Sequence, residues 1–303
     1  MKTVQWYDPW LTALAPLIWG STYLLTSELL PPDVPLLSAA LRTLPVGLLM
    51  LCCLRQLPTG DWWWKVIVLG LLNIGVFQAL LFVAAYRLPG GVAATVGAIQ
   101  PLVVVVLSVL VLRQPSRLTS WLAALGGLLG IALLVLGPAA SFDAVGLLAA
   151  AAGATAMAVG TILTKKWQPK VNAMVLTSWQ LTAGGLVLLP VALWFEQLPA
   201  ALTGSQMLAY LWLGLVGTGF SYILWLRGVL RLSAPAVSSI SLLSPVSATL
   251  LGLLVLQQKL DLQQSIGMLL VLVSVLIGQL SNQPGTITAK ALPLLTQSGA
   301  GKS

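Results

Sequence analysis

Ten apolar stretches, each long enough to cross a lipid bilayer, fill almost all of this 303-residue chain. A helix rises about 1.5 Å per residue, so roughly 20 apolar residues cover a hydrocarbon core about 30 Å thick. The stretches run over 10–29, 35–54, 63–86, 92–112, 120–136, 145–165, 173–195, 207–230, 235–256 and 262–280. Helix-stopping sequences separate them, such as Leu-Pro-Pro-Asp at 30–33, Leu-Pro-Thr-Gly-Asp at 57–61, Gln-Pro-Ser-Arg at 114–117 and Gln-Pro-Lys at 168–170. Only 7% of residues are charged and 58% are hydrophobic, against roughly 25% charged in soluble domains. One water-soluble core could not hide so much apolar surface, so lipid must face much of it. The runs lack the alternation of a membrane barrel, and backbone groups in lipid must bond internally. The expectation is an all-α membrane protein with ten transmembrane helices. The first stretch begins near Asp8, is too long for a signal peptide and ends without a small-residue cleavage site, so it should remain as a helix.

Basic residues set the orientation, because cytoplasmic loops carry an excess of Lys and Arg. With the N-terminus in the cytoplasm, only Arg87 and Lys259 of the 15 basic residues fall outside, Arg42 within the second span aside. Both termini are therefore expected in the cytoplasm, and the membrane is read as a bacterial inner membrane. This bias also accounts for the net charge of +8. The positive charges are scattered over short loops, so no nucleic-acid partner is expected; the lipid bilayer is the partner. Trp6, Trp10, Trp62, Trp63, Trp64, Trp121, Trp167 and Trp194 fall near span ends, as an interfacial belt requires, whereas Trp19, Trp179 and Trp225 fall inside spans.

The chain matches itself at an offset of 144 residues without a gap. Arg87-Leu88 lands on Arg231-Leu232, Pro101 on Pro245, Leu110-Val111-Leu112 on Leu254-Val255-Leu256, and Gln114 on Gln258. This divides the chain into a first repeat at 1–137, a linker at 138–143, a second repeat at 144–281 and a tail at 282–303. The Gly- and Ser-containing tail reads as disordered. Its closing Gly301-Lys302-Ser303 lacks the upstream glycine and following helix of a phosphate loop. Five helices per repeat is an odd number, so the second repeat enters from the opposite side. Such inverted repeats mark transporters, with the solute site near the midplane between the halves.

Trp-Gly-Ser-Thr-Tyr at 19–23, Arg42, Ala-Tyr-Arg-Leu-Pro-Gly-Gly-Val-Ala-Ala at 85–94, Gln-Pro-Leu at 100–102 and Leu-Leu-Ser-Pro-Val at 242–246 together resemble EamA-type transporters of the drug/metabolite transporter (DMT) superfamily. The resemblance covers about 8–281. It implies a ten-helix carrier of small molecules and is greatest to bacterial amino-acid and metabolite exporters of the YddG kind, which export aromatic amino acids. The chain departs from the family at Arg113-Gln114-Pro115, where an acidic residue is frequent.

The chain has no His, and its seven acidic residues map to span ends or loops. Glu28, at the edge of the first span, comes nearest to the buried carboxylate that usually carries a proton or cation. Facilitated transport is thus favoured over carboxylate-based proton antiport. Arg42 is the most informative polar residue. A charge at a helix centre costs roughly 2.5–3.5 kcal/mol on insertion scales, and Arg42 lies about one-third into its span. It could attract a substrate carboxylate, or bond helix carbonyls and snorkel along its stem. Gln78, Gln100, Gln180 and Asn73 could bind a zwitterion or join helices.

Trp19, Tyr23, Phe82, Tyr86, Trp179, Tyr222 and Trp225 could wall a cavity or pack the core. Gln78, Phe82 and Tyr86 share one helix face. Pro101 and Pro245, following Gln100 and Ser244, are repeat equivalents and read as a matched pair of kinks beside the cavity. Gly90, Gly91, Gly97, Gly214, Gly217 and Gly219 permit close helix approach. The adjacent Cys52 and Cys53 give no disulfide framework or metal spacing and read as apolar packing residues. No catalytic constellation, metal or cofactor is expected. The resulting reading is an exporter of small metabolites, amino acids including aromatic ones, working by alternating access. A proton-coupled drug/metabolite antiporter, a channel and an intramembrane enzyme are the rivals. A monomer is the favoured state.

Overall fold

The computed structural model describes residues 5–88, 93, 96–114, 116–135, 143–255 and 261–280. Among these residues the secondary structure is helical, without strands. The helices are α1 (Asp8–Trp19), α2 (Ser21–Glu28), α3 (Pro35–Leu54), α4 (Trp62–Arg87), α5 (Gln100–Leu110), α6 (Leu118–Val135), α7 (Ala144–Trp167), α8 (Ala173–Phe195), α9 (Gly204–Arg231), α10 (Ala234–Ile240), α11 (Leu243–Val255) and α12 (Leu262–Leu280). Seven helical spans among the described residues are long and apolar enough to cross a membrane. The remaining expected spans, the first, fourth and fifth, contain shorter or interrupted helices. Gly90, Gly91, Lys259, Gln258, Pro115, the tail and most of the linker lie outside the described residues.

The first expected span breaks at Gly20, between α1 and α2. A Cβ there would stand 2.6 Å from the Ser247 side chain, so glycine admits α11 at this point. Ser247 Oγ donates to Leu17 O at 2.6 Å, fixing the approach. The ninth span is likewise split. α10 ends at Ile240 and α11 begins at Leu243, with turn bonds from Ser241 N to Ser238 O and from Ser244 N to Ser241 O. Pro101 and Pro245 therefore differ from the expected mid-helix kinks. Each lies in the first turn of a helix, α5 or α11, where a missing N–H leaves no helical bond unmade.

Two helices contain π-type turns: α4 over Leu71–Val76 and α9 over Trp212–Phe220. Both resume α geometry 144 residues apart, at Phe77 and Ser221, and run to Arg87 and Arg231. The bundle is held by α3 on α8, α6 on α12, α4 on α7, and α1 on α9 and α11. At the α3–α8 contact, a Cβ on Gly47 would come within 2.7 Å of the Thr182 backbone. Close backbone approach of this kind is how helices associate in lipid, where burial in water gives no drive.

Side-chain caps start the second-half helices. Asp143 accepts from Gly146 N at 2.7 Å, Asn172 from Val175 N at 2.9 Å, and Thr203 and Gln206 form a reciprocal capping box. α3 is capped instead from across the molecule. Glu196 at the end of α8 accepts from Leu36 N at 2.6 Å and Leu37 N at 2.7 Å. Trp6, Trp10 and Trp194 are strongly exposed, and so are Leu118, Leu125, Leu262 and Leu269 on α6 and α12, as a lipid-facing surface requires. Cys52 and Cys53, read as apolar packing residues, are also exposed and stand on this surface.

Candidate functional site

Two adjoining cavities lie inside the bundle. The larger has about 90 Å³ of free volume, and the smaller about 60 Å³, room for several waters or part of a small solute. Trp19, Tyr23, Phe77, Leu81 and Ser244 line both. Gln100, Pro245 and a face of α7 with small residues Ala150, Gly153 and Ala154 beside Met157 line the larger. Thr22, Arg42, Gln78 and Tyr222 complete the smaller. Both parts of the chain thus contribute walls.

The polar side of the smaller cavity is built across the bundle. Arg42 on α3 is 1% exposed. Its Nε donates to Thr218 Oγ1 at 2.7 Å and its Nη2 to Gly217 O at 2.8 Å. Gly217 O also accepts from Trp19 Nε1 at 3.1 Å. Gly217 and Thr218 lie in the π segment of α9, and such wider turns recur at functional sites. The Phe82 ring centroid lies 6.0 Å from the guanidinium carbon. Arg42 Nη1 is buried without a partner, and no ion pair to Arg42 occurs among the described residues. Gln78 Nε2 donates to Tyr222 Oη at 3.1 Å across a separation of 144 residues, leaving Gln78 Oε1 unpartnered. Gln100 Nε2 in the larger cavity is also buried without a partner. Trp19 leans on Tyr222 and Trp225 with centroids 5.3 and 5.2 Å apart.

Several expected residues stand elsewhere. Phe82 is fully buried in a core with Leu30, Ala39, Leu188, Tyr210 and Leu213. Tyr86 Oη donates to Pro31 O at 2.7 Å and lies 3.3 Å from Ser38 Oγ. Trp179 Nε1 donates to Gln56 O at 2.6 Å, and Gln180 Oε1 accepts from Asn73 Nδ2 at 2.8 Å. Trp225 is a core residue beside Trp19, and Pro101 lines a separate small crevice. The α4 wall is therefore Phe77, Leu81 and Ala84, with Gln78 at its edge, rather than the Gln78–Phe82–Tyr86 face. Phe77 and Leu81 went unread because an apolar helix has no polar face to set its rotation. The α7 wall carried a signal: small residues recurring every three or four positions.

Ion pairs occur at opposite ends of the bundle. Asp8, opening α1, accepts from Arg227 Nη2 at 2.6 Å and from Arg231 Nη1 at 3.2 Å; its side chain is 1% exposed and theirs are 23%. Gln5 N adds a bond at 2.8 Å. Asp143, preceding α7, faces Arg87 at 3.6 Å, with side chains 40% and 50% exposed.

The model of the EamA-like transporter family matches 8–136 and again 144–278. Protein PecM of Dickeya dadantii is 44% identical over 267 residues, spanning 88% of this chain and 90% of that protein. A chloroplastic WAT1-related protein of Arabidopsis thaliana is 26% identical, over 88% of this chain and 68% of that protein. An uncharacterized inner membrane transporter of Escherichia coli, YedA, is 28% identical over 78% of each. A solved crystal structure superposes with a TM-score of 0.75 at 22% identity, over 90% of this chain and 98% of that one, which speaks to the fold alone. With the family pattern matched twice, once in each part of a chain of membrane-spanning helices, the protein belongs to the EamA-like transporter family.

Proposed function

We propose that this transporter exports small metabolites, amino acids including aromatic ones, by alternating access between two inverted five-helix halves in a bacterial inner membrane, with both termini cytoplasmic. The observation that carries the reading is the pair of cavities walled by both halves. Trp19, Tyr23 and Phe77 offer an aromatic surface, and Arg42, Gln78 and Gln100 hold unpaired polar atoms. Solute sites are mostly apolar with a few placed polar groups.

Several features support inverted halves. α3 meets its counterpart α8, and α6 meets α12. Gln78 and Tyr222, 144 residues apart, bond to each other, as equivalent residues beside a two-fold axis would. Arg231 with Asp8, and Arg87 with Asp143, join the end of one helix to the start of another at opposite ends. No carboxylate lines either cavity among the described residues, which favours facilitated movement over carboxylate-driven proton antiport.

Purified protein in liposomes loaded with unlabelled phenylalanine should take up labelled phenylalanine faster than empty liposomes, with or without a pH gradient. Equal rates in loaded and empty liposomes would mean a pore. No movement of any amino acid would remove the substrate assignment.

A further inference from the structure

Resting on the reading of these cavities as the solute site, we propose that Arg42 anchors a carboxylate of the transported solute, so that the site takes organic acids and zwitterions and rejects amines. Two bonds donated by Nε and Nη2 to the π segment of α9 hold the guanidinium. They leave Nη1 without a partner on a residue that lines the smaller cavity. A guanidinium carries five N–H donors and never an acceptor. Its natural complement is a carboxylate, bound by short charge-assisted hydrogen bonds. No acidic residue lines either cavity among the described residues. A buried cation without a counter-ion awaits one, and the solute can bring it.

A purely structural role accounts for Nε and Nη2 but leaves Nη1 unexplained. The neighbours continue the pattern. Gln78 Oε1 is an unpartnered acceptor in the same cavity wall, placed to receive an ammonium or hydroxyl. Nε2 donates to Tyr222 Oη, whose own proton goes to Asn73 O at 3.4 Å. The walls shared by both cavities are Trp19, Tyr23, Phe77 and Leu81, which suit an aromatic or aliphatic body. The site therefore has one acid-binding corner, one acceptor and an apolar slot. A bare amine finds one acceptor and a repelling positive charge.

The test compares matched compounds on the full-length protein in lipid nanodiscs and liposomes. Phenylalanine, 3-phenylpropionate (no ammonium) and phenethylamine (no carboxylate) are ranked by thermal stabilisation and by competition against labelled phenylalanine. The pairs benzoate with benzylamine and hexanoate with hexylamine extend the ranking. Each acid should bind about ten-fold or more tightly than its amine, the worth of one charge-assisted bond. Arg42→Met should abolish the difference, and Arg42→Lys should keep part of it. Amines binding as well as acids to the wild-type protein would overturn the proposal without any variant, as would a panel in which nothing binds. Acids preferred, with the preference lost in Arg42→Met but no amino acid moved, would uphold Arg42 as the anchor and discard the amino-acid export reading; a preference that survives Arg42→Met would overturn the proposal.

Discussion

The two ends of the bundle carry the same chemistry in different states. At one end Asp8 is buried beneath Arg227 and Arg231. At the other, Asp143 and Arg87 stand half-exposed and further apart. Arg87 and Arg231 are 144 residues apart and each closes a helix that has just passed a π turn. Solvation separates the two pairs. An exposed ion pair contributes about 0–1 kcal/mol, whereas removing one partner of a buried pair costs about 3–5 kcal/mol. The Asp8 end is therefore latched and the Asp143 end is loose. The larger cavity reaches toward the loose end, through Ala84, one turn before Arg87, and Ala150, two turns after Asp143. Under the proposed alternating access, the opposite conformer exchanges these states.

The largest effect should follow Asp8→Asn. Two arginines then lose their counter-charge, although both remain 23% exposed, so the loss should fall at the low end, about 3 kcal/mol. It should appear as a lowered unfolding midpoint in nanodiscs. Thr12, one turn further along α1, is 1% exposed and packs against Gly228, on the helix that carries Arg227 and Arg231. In a background with Cys52 and Cys53 replaced by serine, a Thr12→Cys variant should react with a polar maleimide only when Asp8→Asn is also present. Protection in both backgrounds would mean that the ion cluster does not close this end.

Next comes Glu196→Gln at the loose end, where the carboxylate caps α3 through Leu36 N and Leu37 N. Charge at a helix N-terminus and a cap bond are together worth about 1–2 kcal/mol. The amide keeps one acceptor, so the midpoint should fall by about 1 kcal/mol. A loss as large as that of Asp8→Asn would show that the loose end is as firmly tied as the other, and the asymmetry would vanish.

Spans, repeat and cavity differ in how far they could be read from residues. Hydropathy marks a span because the bilayer demands a sustained apolar average over about 20 residues, so the α3, α7 and α8 regions were legible. The offset of 144 residues rests on Arg, Pro and Gln, which chance seldom aligns in an apolar chain. The break at Gly20 was not, because it is set by Ser247, 230 residues from its partner Leu17. The rotation of α4 was misread because a helix with so few polar residues has no polar stripe to orient it. Phe82 then turns into a packed core and Phe77 into the cavity. Arg42 was visible as an anomaly, but its unoccupied nitrogen emerges only once Thr218 and Gly217 take the others.

The smallest change in stability should come from Arg87→Gln, and it sharpens the comparison most. The pair with Asp143 is 3.6 Å long and half-exposed, so its loss should cost less than about 1 kcal/mol and leave the unfolding midpoint nearly unchanged. If the two ends exchange states during transport, this pair tightens in the conformer opposite to the one described. Removing it then disfavours that conformer alone, and counterflow should slow although stability is untouched. An ordinary surface contact predicts the reverse: Arg87→Gln would transport at the wild-type rate. Asp143→Asn should reproduce the slowing, and the double variant should be no slower than either single one, since both remove the same interaction. Additive slowing would mean that the residues act separately and that the two ends are not alternates of one another.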